Sequence, residues 1–199
     1  MPYAVRVKRR KSNSIIAVGE WWKMRLKYLF GAMLSEAYRF ARVFPNSDPI
    51  MGFILPAAKN EPVWKGPLFA FATMFVFDFF TSGIGVWTWV TSSTYAIVAL
   101  AFSLLLRGKK INLQGYMGAG AIGVLSFDFI TGPIMSSALF GQSFVLTLIM
   151  QVPFTIMHLV SATFSILIIS PLLDRELMAE MRAYIHAAKN AFLQWRVWI

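Results

Sequence analysis

Cysteine is absent from the 199-residue chain. That excludes disulfides, iron–sulfur clusters and thiolate zinc sites, and it leaves redox chemistry silent about compartment. Charge is scarce, at 14% of residues, against about a quarter in a soluble domain. Acidic side chains are the scarcer sign of charge: nine Asp and Glu stand against nineteen Lys and Arg. Histidine occurs twice, at His158 and His186, positions that the expected topology holds far apart, so no histidine-based metal cluster is expected. A Walker A loop, a His-Glu-x-x-His run and a Gly-x-Ser-x-Gly elbow are all missing. Ser92, Ser93, Ser136 and Ser137 have no obvious neighbouring base. Neither enzymatic activity nor a cofactor is expected. Apolar–polar alternation is lacking too, which argues against a β-barrel.

What is there is apolar: 57% of residues are hydrophobic and the mean hydropathy is +0.60. A soluble chain of this length has no core large enough for so much apolar surface, whereas a bilayer absorbs it. Inside a bilayer each backbone polar group must be paired within the chain, so continuous apolar runs become helices. The expected fold class is all-α, a polytopic membrane helical bundle of about six spans. Its expected organisation is a basic tail over residues 1–19, a transmembrane helical domain over 20–173 and an amphipathic C-terminal helix over 174–199.

Residues 20–27 mix Trp21 and Trp22 with Lys23, Arg25 and Lys27, an interfacial composition. A first span follows over 29–44, interrupted by Glu36, Arg39 and Arg42, and the Pro45-Asn46-Ser47-Asp48-Pro49 run is a turn. Residues 50–58 are apolar but few, and read either as a tilted second span or as a re-entrant hairpin. Residues 68–80 form a third span, broken by Gly83 and Gly85, and 87–106 form the clearest one, stopped by Arg107-Gly108-Lys109-Lys110. The fifth, 115–130, is rich in Gly and Ala, which let helices approach closely in lipid, and Gly132-Pro133 is expected to end it. Residues 144–150 are either an outer cap or part of a kinked long helix, and 154–169 form the last span before Pro171. Beyond Asp174, Leu173, Leu177, Met181, Tyr184 and Ala188 recur at helical spacing among charged residues. That pattern suits a helix lying on the membrane surface or against a partner.

The net charge is +10 and the pI about 10.2. The cations gather at the two ends and in short loops, which suits anionic lipid headgroups better than nucleic acid. With about six spans, Lys59, Lys65, Arg107 to Lys110 and both termini fall on one side, and the positive-inside rule makes that side the cytoplasm of a cell membrane. The apolar run 15–18 is too short for a signal peptide, so the tail is expected to be retained and cytoplasmic.

Phe77-Asp78-Phe79-Phe80-Thr81-Ser82-Gly83 resembles Phe127-Asp128-Phe129-Ile130-Thr131-Gly132-Pro133, offset by 50 residues from Asp78 to Asp128. Repeats with broken helices often flank a transporter's solute site. An ionised Asp at a helix centre costs roughly 2.5–3.5 kcal/mol on insertion scales. Either the two aspartates sit at headgroup depth, capping loops or pairing with Arg39 or Arg42, or they line a cavity and touch a solute. Trp87 and Trp89 serve an outer aromatic belt or stack on a flat or cationic ligand. Gln151 and His158 either bond neighbouring helices or contact the solute. A two-aspartate intramembrane protease is disfavoured, because each Asp sits in Phe-Asp-Phe without glycine flanks.

Three stretches carry a resemblance to a family: Phe44-Pro45-Asn46-Ser47-Asp48-Pro49-Ile50; Asp78 followed by Gly83, Trp87 and Thr88; and Pro153-Phe154-Thr155, His158-Leu159 and Pro171-Leu172-Leu173. Together they resemble the substrate-binding (S) component of energy-coupling-factor transporters, or related multi-span membrane proteins, over roughly residues 30–173. The resemblance implies about six helices and a solute site near the outer face. It also implies docking on a transmembrane coupling protein that carries two cytoplasmic ATPases. Uptake of a small organic micronutrient, cationic or aromatic, is then expected, with Asp78, Thr81, Trp87, Trp89, Asp128, Thr131, Gln151 and His158 as solute contacts. Small residues four apart on the first helix serve docking in this family, and Gly31 with Ser35 and Ala37 with Ala41 match that spacing. The basic tail and the terminal helix lie outside the family's core, and the histidine arrangement of nickel and cobalt members is missing. The rival expectation is a structural or assembly subunit without transport activity, marked by an apolar interior with both Asp residues at the headgroups.

Overall fold

The computed structural model describes the backbone of residues 13–41 and 48–196, and the side chains of 26–41 and 48–194. The segment 1–12, the turn residues 42–47 and the terminal Trp198 lie outside the described residues. Among the described residues all regular structure is helical: α1 (Asn13–Phe40), α2 (Ile50–Asn60), α3 (Lys65–Thr81), α4 (Val86–Leu106), α5 (Leu113–Phe129), α6 (Met135–Phe140), α7 (Phe144–Ile168), α8 (Ser170–Leu173) and α9 (Arg175–Arg196). Among the described residues three stretches are long and apolar enough to cross a membrane: Val86–Leu106, Leu113–Phe140 and Phe144–Leu173. Leu104, Ile122, Val145, Phe164 and Ile168 point away from the bundle, each more than 60% exposed. An apolar surface of that extent suits lipid, not water. The described residues are thus all-helical, with three stretches long and apolar enough to span a membrane.

The short α2 organises the bundle. Its eleven residues rise about 16 Å, half of a hydrocarbon core, so the segment 50–58 is not a full-length span. Every residue from Ile50 to Lys59 is buried, with α1, α3, α4, α5, α7 and α8 packed around it. Close approach on one side needs Gly52, where an added Cβ would meet the Ser165 carbonyl oxygen at 2.6 Å. Pro56 lacks the N–H that would bond the Gly52 carbonyl; the Ser170 hydroxyl donates to that carbonyl instead, at 2.9 Å. The Gly52 N–H donates in turn to Ser165 Oγ, at 3.2 Å.

One sequence expectation changes and one open alternative closes. Gly132-Pro133 does not end the fifth span. A π-helical turn, Ile130–Ile134, carries α5 into α6, because the wider register of a π turn accommodates the missing proline N–H. The helix stops instead at Gly141, which adopts φ 64, so most of 132–143 is helix and not loop. Residues 144–150 are the first turns of α7, which runs without a break past Pro153.

At the end of the bundle where the cations cluster, α9 is fastened to α2. Lys59 Nζ bonds Asp174 Oδ2 at 2.6 Å and Glu176 Oε2 at 2.8 Å. The Tyr116 hydroxyl donates to Asp174 Oδ2 at 2.6 Å, and Glu180 accepts the Leu113 N–H that opens α5. Burial opposes ionisation of Asp174, but hydrogen bonds from Lys59 and Tyr116, the Lys59 charge and the Glu176 N–H outweigh it and hold the carboxyl below the usual carboxylate range.

A lowered folded-state pKa means that Asp174's contribution is complete above the unfolded value, near ~3.9. It is lost as pH falls through the lower folded value. Asp174→Asn will therefore flatten the acid limb of the thermal midpoint plotted against pH. Lys59→Met will cost about 3–5 kcal/mol at neutral pH by leaving a buried carboxylate unpaired. In the same assay Gly52→Val will destabilise by about 1–3 kcal/mol through overpacking, while Gly118→Ala, with open space around its Cβ, will not.

Candidate functional site

The interior of the bundle is polar halfway along its long helices. His158 stands about 20 Å from either end of Phe144–Leu173, at 1.5 Å per residue. Its ring joins two carboxylates from different elements. Nδ1 lies 3.0 Å from Asp128 Oδ1 on α5, and Nε2 lies 3.4 Å from Asp48 Oδ2 just before α2. The Tyr95 hydroxyl of α4 donates to Asp48 Oδ2 at 2.8 Å and lies 2.8 Å from His158 Nε2. Both ring nitrogens and the Tyr95 hydroxyl are thus engaged in one network between the two carboxylates, the donor and acceptor roles at the ring following its tautomer.

Local structure sets each member. Asp48 precedes Pro49 and the first turn of α2, where helix N–H groups have no partner of their own. Its Oδ1 accepts the Ile50 N–H at 2.9 Å, and its backbone carbonyl accepts the Ser161 hydroxyl at 2.9 Å. The carboxylate also opposes the positive end of the α2 dipole. Tyr95 packs its ring 4.0 Å, centroid to centroid, from Phe127, and Phe127 meets the His158 ring edge-on at 5.8 Å. Tyr95, Asp128 and His158 are almost wholly buried.

Some polar atoms here have no partner. Asp128 Oδ2 and Ser92 Oγ are buried without a hydrogen bond, and so are both carboxylate oxygens of Glu36 and the hydroxyl of Ser35. Glu36 feels the charges of Arg39, Asp78 and Asp48, which places it beside the same region. Arg39 lays its guanidinium 3.8 Å from the centroid of the Phe77 ring and reaches the Thr73 carbonyl at 3.4 Å.

The sequence-predicted solute residues divide into two groups. Asp128 and His158 bond each other. Thr131 is buried in the π-helical turn with its hydroxyl on the Phe127 carbonyl. Gln151 lies against that same turn, where a Cβ on Gly132 would meet Gln151 Oε1 at 2.7 Å. The other four lie around the α3–α4 connection. Asp78 is half-buried near the end of α3, and the Thr81 hydroxyl bonds the Phe77 carbonyl at the exposed end. Trp87 meets Phe140 edge-on, while Trp89 packs against Phe71 and Phe75, both tryptophans remaining partly exposed. Asp78 and Asp128, matched in the repeat, thus occupy different depths, because α3 stops in a turn at Gly83 while α5 continues through its π turn.

The small-residue pairs also divide. Gly31 and Ser35 are buried, and a Cβ on Gly31 would meet the Phe53 ring of α2 at 2.4 Å. Ala37 and Ala41 remain exposed. Among the described residues no group of three or more His, Asp or Glu side chains is arranged to hold a metal ion, and His186 is exposed on α9.

Sequence reasoning missed Asp48 and Tyr95 as site residues. Both left a signal. Asp48 sits two residues before an apolar helix, the position from which a carboxylate accepts its first N–H groups. Tyr95 lies mid-span, far from the interfacial belts where tyrosine is usual, so its hydroxyl must find a buried partner. No protein-family model, curated protein or solved structure matches this chain.

His158→Ala is expected to lower stability by about 3–5 kcal/mol, since it strands two buried carboxylates. Tyr95→Phe is expected to cost about 1.5–3 kcal/mol, the worth of a hydrogen bond to a charged group. Thermal midpoints in neutral detergent will show the double variant losing less than the two single losses combined, because one network carries both.

Proposed function

We propose that this chain is a membrane solute-binding subunit of the energy-coupling-factor type, taking up a small organic micronutrient together with a transmembrane coupling protein and cytoplasmic ATPases. In this reading α1, α3, α4, α5 with α6, and α7 are five of six passes, and the segment that ends in the half-length α2 makes the remaining one. Both termini and the cation-rich end of the bundle then face the cytoplasm, by the positive-inside rule. The exposed side of α1, with Met33, Ala37, Phe40 and Ala41, serves as the coupling surface, and the basic residues of α9 lie against anionic headgroups.

The observation that carries the reading is Asp128: 2% exposed, about halfway along the continuous stretch Leu113–Phe140, with Oδ2 unpartnered. A carboxylate held at that depth is costly, and intramembrane acids of this kind mark solute or ion sites. A structural or assembly subunit has less need of such a group. That second reading draws its support from α9, where Tyr184, Ile185, Phe192 and Leu193 are all exposed, an apolar surface suited to a protein partner.

Native mass spectrometry of the protein gently extracted from its own membrane tests the choice. The expected result is a retained small molecule together with an ATPase-bearing partner. A bare chain, or one held only in a large assembly without ATPases, would transfer the assignment to the structural subunit.

A further inference from the structure

The polar interior gathers acids from several elements. Asp48 and Asp128 meet at His158, and Glu36, coupled in charge to Arg39, lies toward Asp48. Two of the acids also carry buried oxygens without any partner, Asp128 Oδ2 and both oxygens of Glu36. A hydrogen-bond acceptor left open at that depth is the complement of a donor absent from the protein itself.

Three further observations bear on the same place. The backbone immediately after Asp128 is a π-helical turn, a distortion that recurs at functional sites. Ser92, wholly buried with a free hydroxyl, lies one helical turn from Tyr95 on the same side of α4. The rings of Tyr95 and Phe127 line the cluster, and aromatic faces attract cations. A divalent metal is disfavoured, because no group of three or more potential ligands is arranged for one among the described residues.

We propose that this site binds a small organic cation, a protonated amine, with the open oxygen of Asp128 as its counter-ion and Glu36 as a second acidic contact. The proposal rests on the solute-binding reading and names the chemical class of the solute. Asp48, paired to Tyr95 and His158, positions the histidine and does not contact the ligand.

The test uses the full chain in nanodiscs of neutral lipid, with three primary amines as probes: methylamine, putrescine and benzylamine. Ethanol and benzyl alcohol serve as neutral controls, and acetate and benzoate as anionic ones. At least one amine is expected to raise the thermal midpoint, by about 3 °C or more at a tenfold excess over its Kd, while the neutral and anionic probes do not. Asp128→Asn should abolish that shift. Because Asp128→Asn also weakens the contact to His158, Glu36→Gln provides a second variant that leaves the histidine bonds intact, and it should weaken amine binding at least tenfold. Asp78→Asn should change it least. Protection by a neutral or anionic probe in place of the amines would overturn the cationic class and leave solute binding standing. Protection by amines that survives both Asp128→Asn and Glu36→Gln would overturn the assignment of the site. Protection by no probe would overturn the proposal, and if native mass spectrometry also found neither a retained molecule nor an ATPase partner, the solute-binding reading would fall with it.

Discussion

The structure depends on hiding a helix whose two ends are both polar. α2 is too short to cross a bilayer and is buried along its whole length, so its free N–H groups, its interrupted carbonyl and its flanking charges all fall where water is scarce. Every such group demands a partner from the chain itself. Asp48, Ser161 and Ser165 serve its start, Ser170 serves the Gly52 carbonyl freed by Pro56, and Asp174, itself held by Tyr116, serves Lys59 at the far end. The polar residues scattered along α7 are explained by this need before any function is invoked. Ser161 and Ser165 share one face of α7 at a spacing of one helical turn, and that face is the one turned to α2.

The same constraint separates structural polarity from surplus polarity. Most buried polar atoms around α2 are paired, which is the ordinary condition of a folded interior. Asp128 is only half paired, and neither carboxylate oxygen of Glu36 has a hydrogen bond. In lipid such atoms are more conspicuous than in a soluble core, since no solvent is close by to relieve them. The contrast between the satisfied Asp174 and the half-satisfied Asp128 distinguishes a fastening from a site, although both are aspartates at helix junctions or within helices of the same bundle.

Much of the architecture was legible in the sequence. Continuous apolar runs placed α4 and α7, the glycine break placed the α3–α4 turn, and the 3.6-residue rhythm after Asp174 placed α9. What failed to show was the fate of proline. Pro133 reads as a terminator because it removes an N–H, yet a π-helical turn absorbs the loss, and α6 follows. Pro56 reads as a break in a weak span, yet a serine 114 positions away in the chain, at Ser170, repairs it. Local sequence carries the damage and not the repair, which arrives through tertiary contact. The site was half legible for the same reason: Asp128 and His158 are conspicuous in apolar runs, whereas Asp48 hides in a turn whose composition is ordinary, and its burial follows only from where α2 is packed.

The bond from Ser170 to the Gly52 carbonyl reaches beyond this one molecule. It exists because position 56 is proline. A homologous chain with any other residue there regains the N–H, closes the α2 ladder by itself and releases position 170 from the need for a hydroxyl. Positions 56 and 170 are therefore expected to drift as a pair through evolution: proline with serine or threonine, or neither. A correlated change of that kind would record the packing of α2 against α8 in sequence alone.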